Sequence, residues 1–188
     1  MILSIQSIID QQHHDAWIQT YTSKRFNPFN IQPGDICLED IAHALSMQCR
    51  FVGHTKFHYS IAQHSVFVSQ LCNPQDALYG LLHDASEAFL GDVASPIKQT
   101  EVYKAYKELE KLVQSNIYQS FGLDTVEPIS VKEADLIILA TEATQLLQKR
   151  DDWTLSRTPA NIIIPELTPT QAKLCFLARF KEITCQNK

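Results

Sequence analysis

Leu81-Leu82-His83-Asp84-Ala85-Ser86-Glu87 is the stretch on which the reading of this chain turns. It sits inside an apolar run from Ala77 to Phe89 whose spacing predicts a helix. An imidazole and two carboxylates are set into that run. Isolated ionised groups are costly to bury, and chains that bury them pair them or give them to a metal. His83 and Asp84 are neighbours, so one turn of backbone presents a ring nitrogen and a carboxylate oxygen together. Glu87 follows His83 by four residues, one helical turn on, which predicts a shared face. A His-Asp doublet is a weak signal alone; what surrounds it in the chain carries the argument.

Upstream, Ser60 is placed to cap a helix with Ile61, Ala62, Val66, Phe67 and Leu71 as apolar positions, and that helix carries His64. Asn73-Pro74 reads as an N-cap and first-turn proline opening the His-Asp helix, which Gly91 to Pro96 breaks. Leu38, Ile41, Ala42 and Leu45 mark one face of an earlier helix over Leu38 to Met47. Arg50-Phe51-Val52-Gly53-His54 to Tyr59 is an aromatic and basic connection between helices. Downstream, Glu101 to Phe121 is a long amphipathic helix ended by Gly122. Ser130-Val131-Lys132-Glu133 reads as a capping box opening a helix that carries Asp135 and ends near Arg150. Asp151 to Leu167 is a loop with a short extended piece at Ile162-Ile163-Ile164. Thr168-Pro169-Thr170-Gln171 is a second capping box, opening a last helix through Phe180. At the start, residues 2–15 suggest a short helix, and Trp17 to Phe29 a small hairpin around Thr22-Ser23-Lys24. The expected fold class is all-α: one domain over residues 1–188, a helical bundle with a small N-terminal β-hairpin.

Composition bounds the function. A chain of 188 residues with 45% apolar and 20% charged residues buries a real core. The net charge of −5 and the lack of a Lys/Arg stripe speak against a duplex-DNA binder, but not against small phosphorylated ligands. Five cysteines with no CxxC spacing fit reduced thiols in a cytoplasm better than a disulfide framework. No signal peptide and no membrane span is read.

His64 alone reads more readily as a hydrogen-bonded core histidine than as a ligand. Asp135 alone reads as a carboxylate favouring a helix N-terminus. Two histidines and two aspartates on three expected helices are harder to dismiss, because a bundle aims such groups at one central point, where metal sites are built. The pattern His64…His83-Asp84…Asp135 resembles the H…HD…D signature of the HD-domain metal-dependent phosphohydrolases. The wording Ala62-Gln63-His64-Ser65, Leu81 to Glu87, and a late Asp135 opening a helix carry that resemblance. It covers roughly residues 38–150. Arg50-Phe51, Gly91-Asp92 and Ser95-Pro96-Ile97-Lys98 are similar to the compact branch that contains the bacterial 5′-deoxynucleotidase and related phage nucleotide hydrolases.

The resemblance implies a fold, a cofactor and roles. His64, His83, Asp84 and Asp135 would hold one divalent cation; two imidazoles and two carboxylates suit Mn, Co, Ni, Fe or Zn without selecting among them. Glu87 would position or deprotonate a water, or protonate the leaving group. Arg50 would pair with phosphate through its planar fork. Phe51 would stack on or wall off a base, and Asp92 would hold a sugar hydroxyl. His54 and Lys98 are further substrate-binding candidates, and His54 or His58 would be drawn on only by a second ion. The related alarmone hydrolases carry an acidic pair where this chain has Glu87-Ala88, which weighs against that substrate. The expectation is a metal-dependent phosphohydrolase of a nucleotide, a deoxynucleotide 5′-monophosphate or triphosphate, in a homo-oligomer. An alarmone or cyclic-nucleotide hydrolase, a non-catalytic nucleotide-binding module and a helical interaction protein stay open.

Overall fold

The structure, a computed structural model, describes residues 16–149 and 154–186. The helix read over residues 2–15 and Arg150 itself lie outside those residues; the helix expected to end near Arg150 stops at Leu146. β1 (Ile18–Gln19) and β2 (Arg25–Phe26) pair antiparallel, with Ile18 opposite Phe26 and Gln19 opposite Arg25. Ser23 takes φ 65 in the turn between them. Such short strands cannot hold themselves together, and two anchors do it for them. Phe26 is fully buried and stacks on Phe89 with ring centroids 4.0 Å apart. Asp40 accepts hydrogen bonds from the Thr22 amide (2.7 Å) and hydroxyl (2.8 Å).

Asp40 belongs to α1 (Leu38–Met47), which buries Ile41, Ala42 and Leu45 as the apolar spacing predicts. α2 (Ile61–Leu71) starts where Ser60 Oγ accepts the Gln63 amide proton. This helix is the axis of the molecule. It packs against α1, against α3 (Ala77–Leu82), against α7 (Ile129–Leu146) and against α8 (Pro169–Gln186). Two further short helices, α4 (Glu87–Leu90) and α5 (Ser95–Lys98), lead into α6 (Lys104–Ser120). Gly122 ends α6 at φ 74, a left-handed position that glycine takes without cost. The shared core gathers Leu45, Ile61, Leu81, Leu82, Ile117 and Phe176, all fully buried. Among the described residues no helix is long and apolar enough to cross a membrane.

Several expectations are corrected. The run Ala77 to Phe89 is not one helix: α3 stops at Leu82 and α4 starts at Glu87. Between them the backbone tightens to three-residue turns, Ala85 N–H to Leu82 C=O and Glu87 N–H to Asp84 C=O, both 3.0 Å. The cause is a side chain inserted into the ladder. Gln114 of α6 donates to Leu82 C=O (2.7 Å) and accepts from Ser86 N–H (2.9 Å), satisfying groups that a continuous helix would pair internally. Asn73 makes no capping bond with its side chain; a 3₁₀ turn over Pro74–Asp76 comes first. Ser130 and Glu133 form no capping box, because α7 starts one residue earlier, at Ile129. Ser130 Oγ donates to Asp76 instead, and Glu133 pairs with Arg157 at 2.8 Å. Thr168 and Gln171 do form theirs, and α8 runs beyond Phe180. Residues 162–164 form no strand. The Gln145 amide takes a partner strand's place, donating to Ile162 C=O and accepting from Ile164 N–H.

Candidate active site

Three helices meet at one polar point beside the core. His64 projects from the first turns of α2, His83 and Asp84 from the break after α3, and Asp135 from α7. His64 Nε2 lies 3.2 Å from His83 Nε2, 3.6 Å from Asp84 Oδ2 and 3.5 Å from Asp135 Oδ1. His83 Nε2 lies 3.2 Å from Asp84 Oδ2. His64, His83 and Asp84 offer ligand atoms all within 4.8 Å of one another. The four side chains that the sequence singled out are thus neighbours.

Both rings are held by their far nitrogen. Gly80 C=O can only accept, so His83 Nδ1–H donates to it at 2.9 Å. Gly80 also lets α3 approach α2: a Cβ there would sit 2.9 Å from Ser69 Cα and from Cys72 Sγ. His64 Nδ1 lies 2.6 Å from Glu142 Oε1 in full burial. Burial works against the Glu142 charge, but Arg50 and His64 outweigh it and hold the carboxyl below its ordinary range. It is therefore an acceptor, and His64 Nδ1–H donates. With Nδ1–H donating on both rings, His64 Nε2 faces His83 Nε2, Asp84 and Asp135, and His83 Nε2 faces His64 Nε2 and Asp84. Four acceptors converge there, an arrangement that a cation offsets. A proton is one such cation: burial alone would lower His83, yet Asp84 and then Asp135 raise it to about 9. Asp84 and Asp135 are both held well below the usual carboxylate range against the effect of burial, chiefly by His83 and His64 respectively. A divalent metal matches the same donor set, nitrogen and oxygen together.

Glu87 is 5% exposed. Burial, then the carboxylates of Asp84 and Asp92, push it up to about 9 against Lys98 and Arg50. Lys98 bridges it, 3.2 Å from Glu87 Oε1 and 2.7 Å from Glu110 Oε1. Glu87 Oε2 is buried with no hydrogen-bond partner among the described residues. Since the helix is broken, the electrostatic neighbour of Glu87 is Asp84, three residues back, where sequence spacing pointed to His83. Gln48 fixes this region, donating to Glu87 C=O (3.0 Å) and accepting from Asp92 N–H (3.2 Å).

Arg50 departs from its expected geometry. Its Nε and Nη2 lie 3.3 and 3.1 Å from Glu142 Oε2, so that edge of the fork is already used. Nη1 faces Asp84 Oδ2 at 3.5 Å. Phe51 and Val52 follow at φ 54, where a β-branched valine is strained. Strain of about 1–3 kcal/mol per residue collects at functional sites. Two cavities meet at Asp84, Glu87 and Lys98. The larger, about 670 Å³, is bounded by Arg50, Phe51, Asp92, Lys132, Leu136 and Leu139. The smaller, about 340 Å³, is bounded by His83, Glu110, Gln114, Tyr118 and Glu127. His54 is exposed and outside both linings, and neither His54 nor His58 joins the cluster. Glu142 and Gln114 escaped sequence reasoning. Glu142 had a signal, lying seven residues after Asp135 and so two turns along the same helix face. Gln114 had none, being one of several polar residues on an amphipathic helix.

The class that this fold and cluster define is the HD type, in which helices bring two histidines and two aspartates to one point. The family model described as 5′-deoxynucleotidase YfbR-like matches residues 41–130, and the chain belongs to that family. It is 38% identical over 174 residues to the uncharacterized protein YfdR of Escherichia coli K12, covering 90% of this chain and 96% of that one. It is 35% identical over 144 residues to an uncharacterized protein of Rhodobacter capsulatus, covering 70% and 73%. A 5′-deoxynucleotidase of Pectobacterium atrosepticum is 32% identical over 76 residues, 39% of this chain and 37% of that one.

Proposed function

We propose that this protein is a metal-dependent phosphohydrolase that removes the 5′-phosphate from a deoxynucleoside monophosphate. The observation that carries the reading is the convergence of His64, His83, Asp84 and Asp135, with both imidazoles held so that Nε2 faces the carboxylates. These four residues would hold one divalent ion of the Mn, Co, Ni, Fe or Zn group. When bound, such an ion polarises a phosphoryl oxygen and lowers the pKa of a water.

The chain's own residues supply the rest. Arg50 binds a phosphate oxygen through Nη1, which Glu142 does not engage and which faces Asp84 Oδ2 at 3.5 Å. Glu87 carries a proton at the reacting oxygens, from a buried carboxyl held at one oxygen by Lys98. Phe51, Leu136 and Leu139 give the larger cavity an apolar wall for a base, and its volume suits a mononucleotide. Asp92, on the same wall, accepts a sugar hydroxyl. Lys98 stays with Glu87 and Glu110 as a local counter-charge, and His54 is given no role. The names of the relatives support the substrate class. The test is a panel of ribo- and deoxynucleoside mono- and triphosphates with Mn or Co, read for phosphate, pyrophosphate and triphosphate. The expected product is phosphate, released from deoxynucleoside monophosphates. Turnover confined to triphosphates, or none at all with metal bound, would overturn the reading.

A further inference from the structure

Glu142 is fully buried and divides its two oxygens between two partners. Oε1 takes the Nδ1 proton of His64 at 2.6 Å, and Oε2 takes Arg50 at 3.3 Å from Nε and 3.1 Å from Nη2. His83, by contrast, rests on the neutral carbonyl of Gly80 at 2.9 Å. One carboxylate therefore sets the tautomer of a ring in the cluster and also the direction of Arg50, which lines the larger cavity. The fully buried Tyr59 also lies beside this carboxylate, and a glutamate with no exposed surface has no surface role. A carboxylate is more than either partner needs for packing: a buried charge is costly, and leaving it unpaired is costlier still.

We propose that Glu142 is a positioning residue that couples the metal cluster to phosphate binding, through His64 on one oxygen and Arg50 on the other. The proposal rests on the hydrolase reading for the phosphate half only. The metal half stands on geometry alone. An anion behind the ring raises the basicity of Nε2 and fixes its orientation, and loss of such a partner typically weakens metal binding about 10–100-fold. The same loss frees the Nε/Nη2 edge of Arg50 and lets the guanidinium turn away from Nη1-first presentation.

The test uses the full-length chain, stripped with chelator, and Mn²⁺ titration followed by calorimetry. Four proteins are compared: wild type, Glu142→Gln, Arg50→Met, and the pair together. Removing both charges in the pair leaves neither partner buried and unpaired, so a folded variant is available even if Glu142→Gln alone unfolds. Far-UV circular dichroism and a cooperative melt check the fold of each. The expected result is Mn²⁺ affinity roughly 10–100-fold weaker in Glu142→Gln and in the pair, with Arg50→Met within about threefold of wild type. KM for deoxynucleoside monophosphate rises in all three. Equal loss of Mn²⁺ affinity in Arg50→Met would assign the effect to the ion pair's contribution to packing and overturn the proposal. So would wild-type affinity in a folded Glu142→Gln or pair. Should no nucleotide be turned over by any of the four, the metal comparison still decides the role of Glu142, while the hydrolase reading fails separately.

Discussion

Glu87 separates a ligand from a proton carrier. It lies next to the cluster but outside the set of four, and its Oε2 has no partner among the described residues. Glu87→Gln keeps the shape and leaves all four donors in place. The variant is expected to retain metal by elemental analysis while kcat falls about 10²–10⁴-fold, the usual loss for a removed general acid or base. A metal-free variant would place Glu87 among the ligands. A variant with wild-type rate would make it a bystander. His64, His83, Asp84, Asp135 and Glu87 were legible in the sequence because each is an ionisable group in an otherwise apolar helical neighbourhood. His54 was read only as a further substrate contact, because an aromatic and basic connection does not tell in one dimension whether a residue lines a cavity or faces solvent. Its exposure is a property of the loop that Phe51 and Val52 bend through positive φ.

Among the elements, the break between α3 and α4 sets the geometry of the site, and Gln114 holds the break. Gln114→Leu removes the donor to Leu82 C=O and the acceptor for Ser86 N–H together. The expected cost is about 1–3 kcal/mol, the desolvation penalty of a group left unsatisfied, read from the shift in urea midpoint. An unchanged midpoint would mean that the turn stands without it. Periodicity marks apolar positions and cannot report a side chain inserted from 28 to 32 residues downstream, which is why the run Ala77 to Phe89 read as one helix. Capping signals behaved similarly. Thr168 and Gln171 bond each other across the helix start, whereas Ser130 found Asp76.

The hairpin's tie to α1 predicts a pH dependence. Burial opposes the charge of Asp40, but hydrogen bonds from Cys37 and Thr22 hold its carboxyl below the ordinary 3.8. A folded-state value below the unfolded one contributes stability above pH 3.8, lost as pH falls through the folded value. Asp40→Ala is therefore expected to cost about 1.5–3 kcal/mol at pH 7, with the gap to wild type narrowing as pH falls below the ordinary 3.8. A gap that stays constant as pH is lowered through 3.8 until the carboxyl is protonated would contradict the assignment.

For the whole molecule, the cluster joins α2, α7 and the α3–α4 break, so an ion held there ties together elements distant in sequence. A ligand that binds only the folded state at a hundred times its Kd adds about 2.7 kcal/mol. For a chain of this length that is roughly 5–10 °C in Tm. Mn²⁺ is expected to raise Tm by that amount in wild type and not in His83→Ala; equal shifts in both would place the ion elsewhere. The bundle and the hairpin were legible in the sequence because helix periodicity and turn chemistry are local. The expected homo-oligomer rested mostly on the family resemblance, with Val102, Ala105, Leu109, Leu112 and Val113 as the apolar positions of the helix read from Glu101; of these Leu109 and Val113 pack into the molecule's own core, and Val102 is exposed.

The central claim is that this cluster is where phosphate leaves a nucleotide. The most direct measurement is phosphate release from a deoxynucleoside monophosphate with Mn²⁺, wild type against the folded His83→Ala/Asp84→Ala double variant. The account predicts turnover in the wild type and a rate at the uncatalysed background in the variant. Equal rates in the two proteins would contradict it.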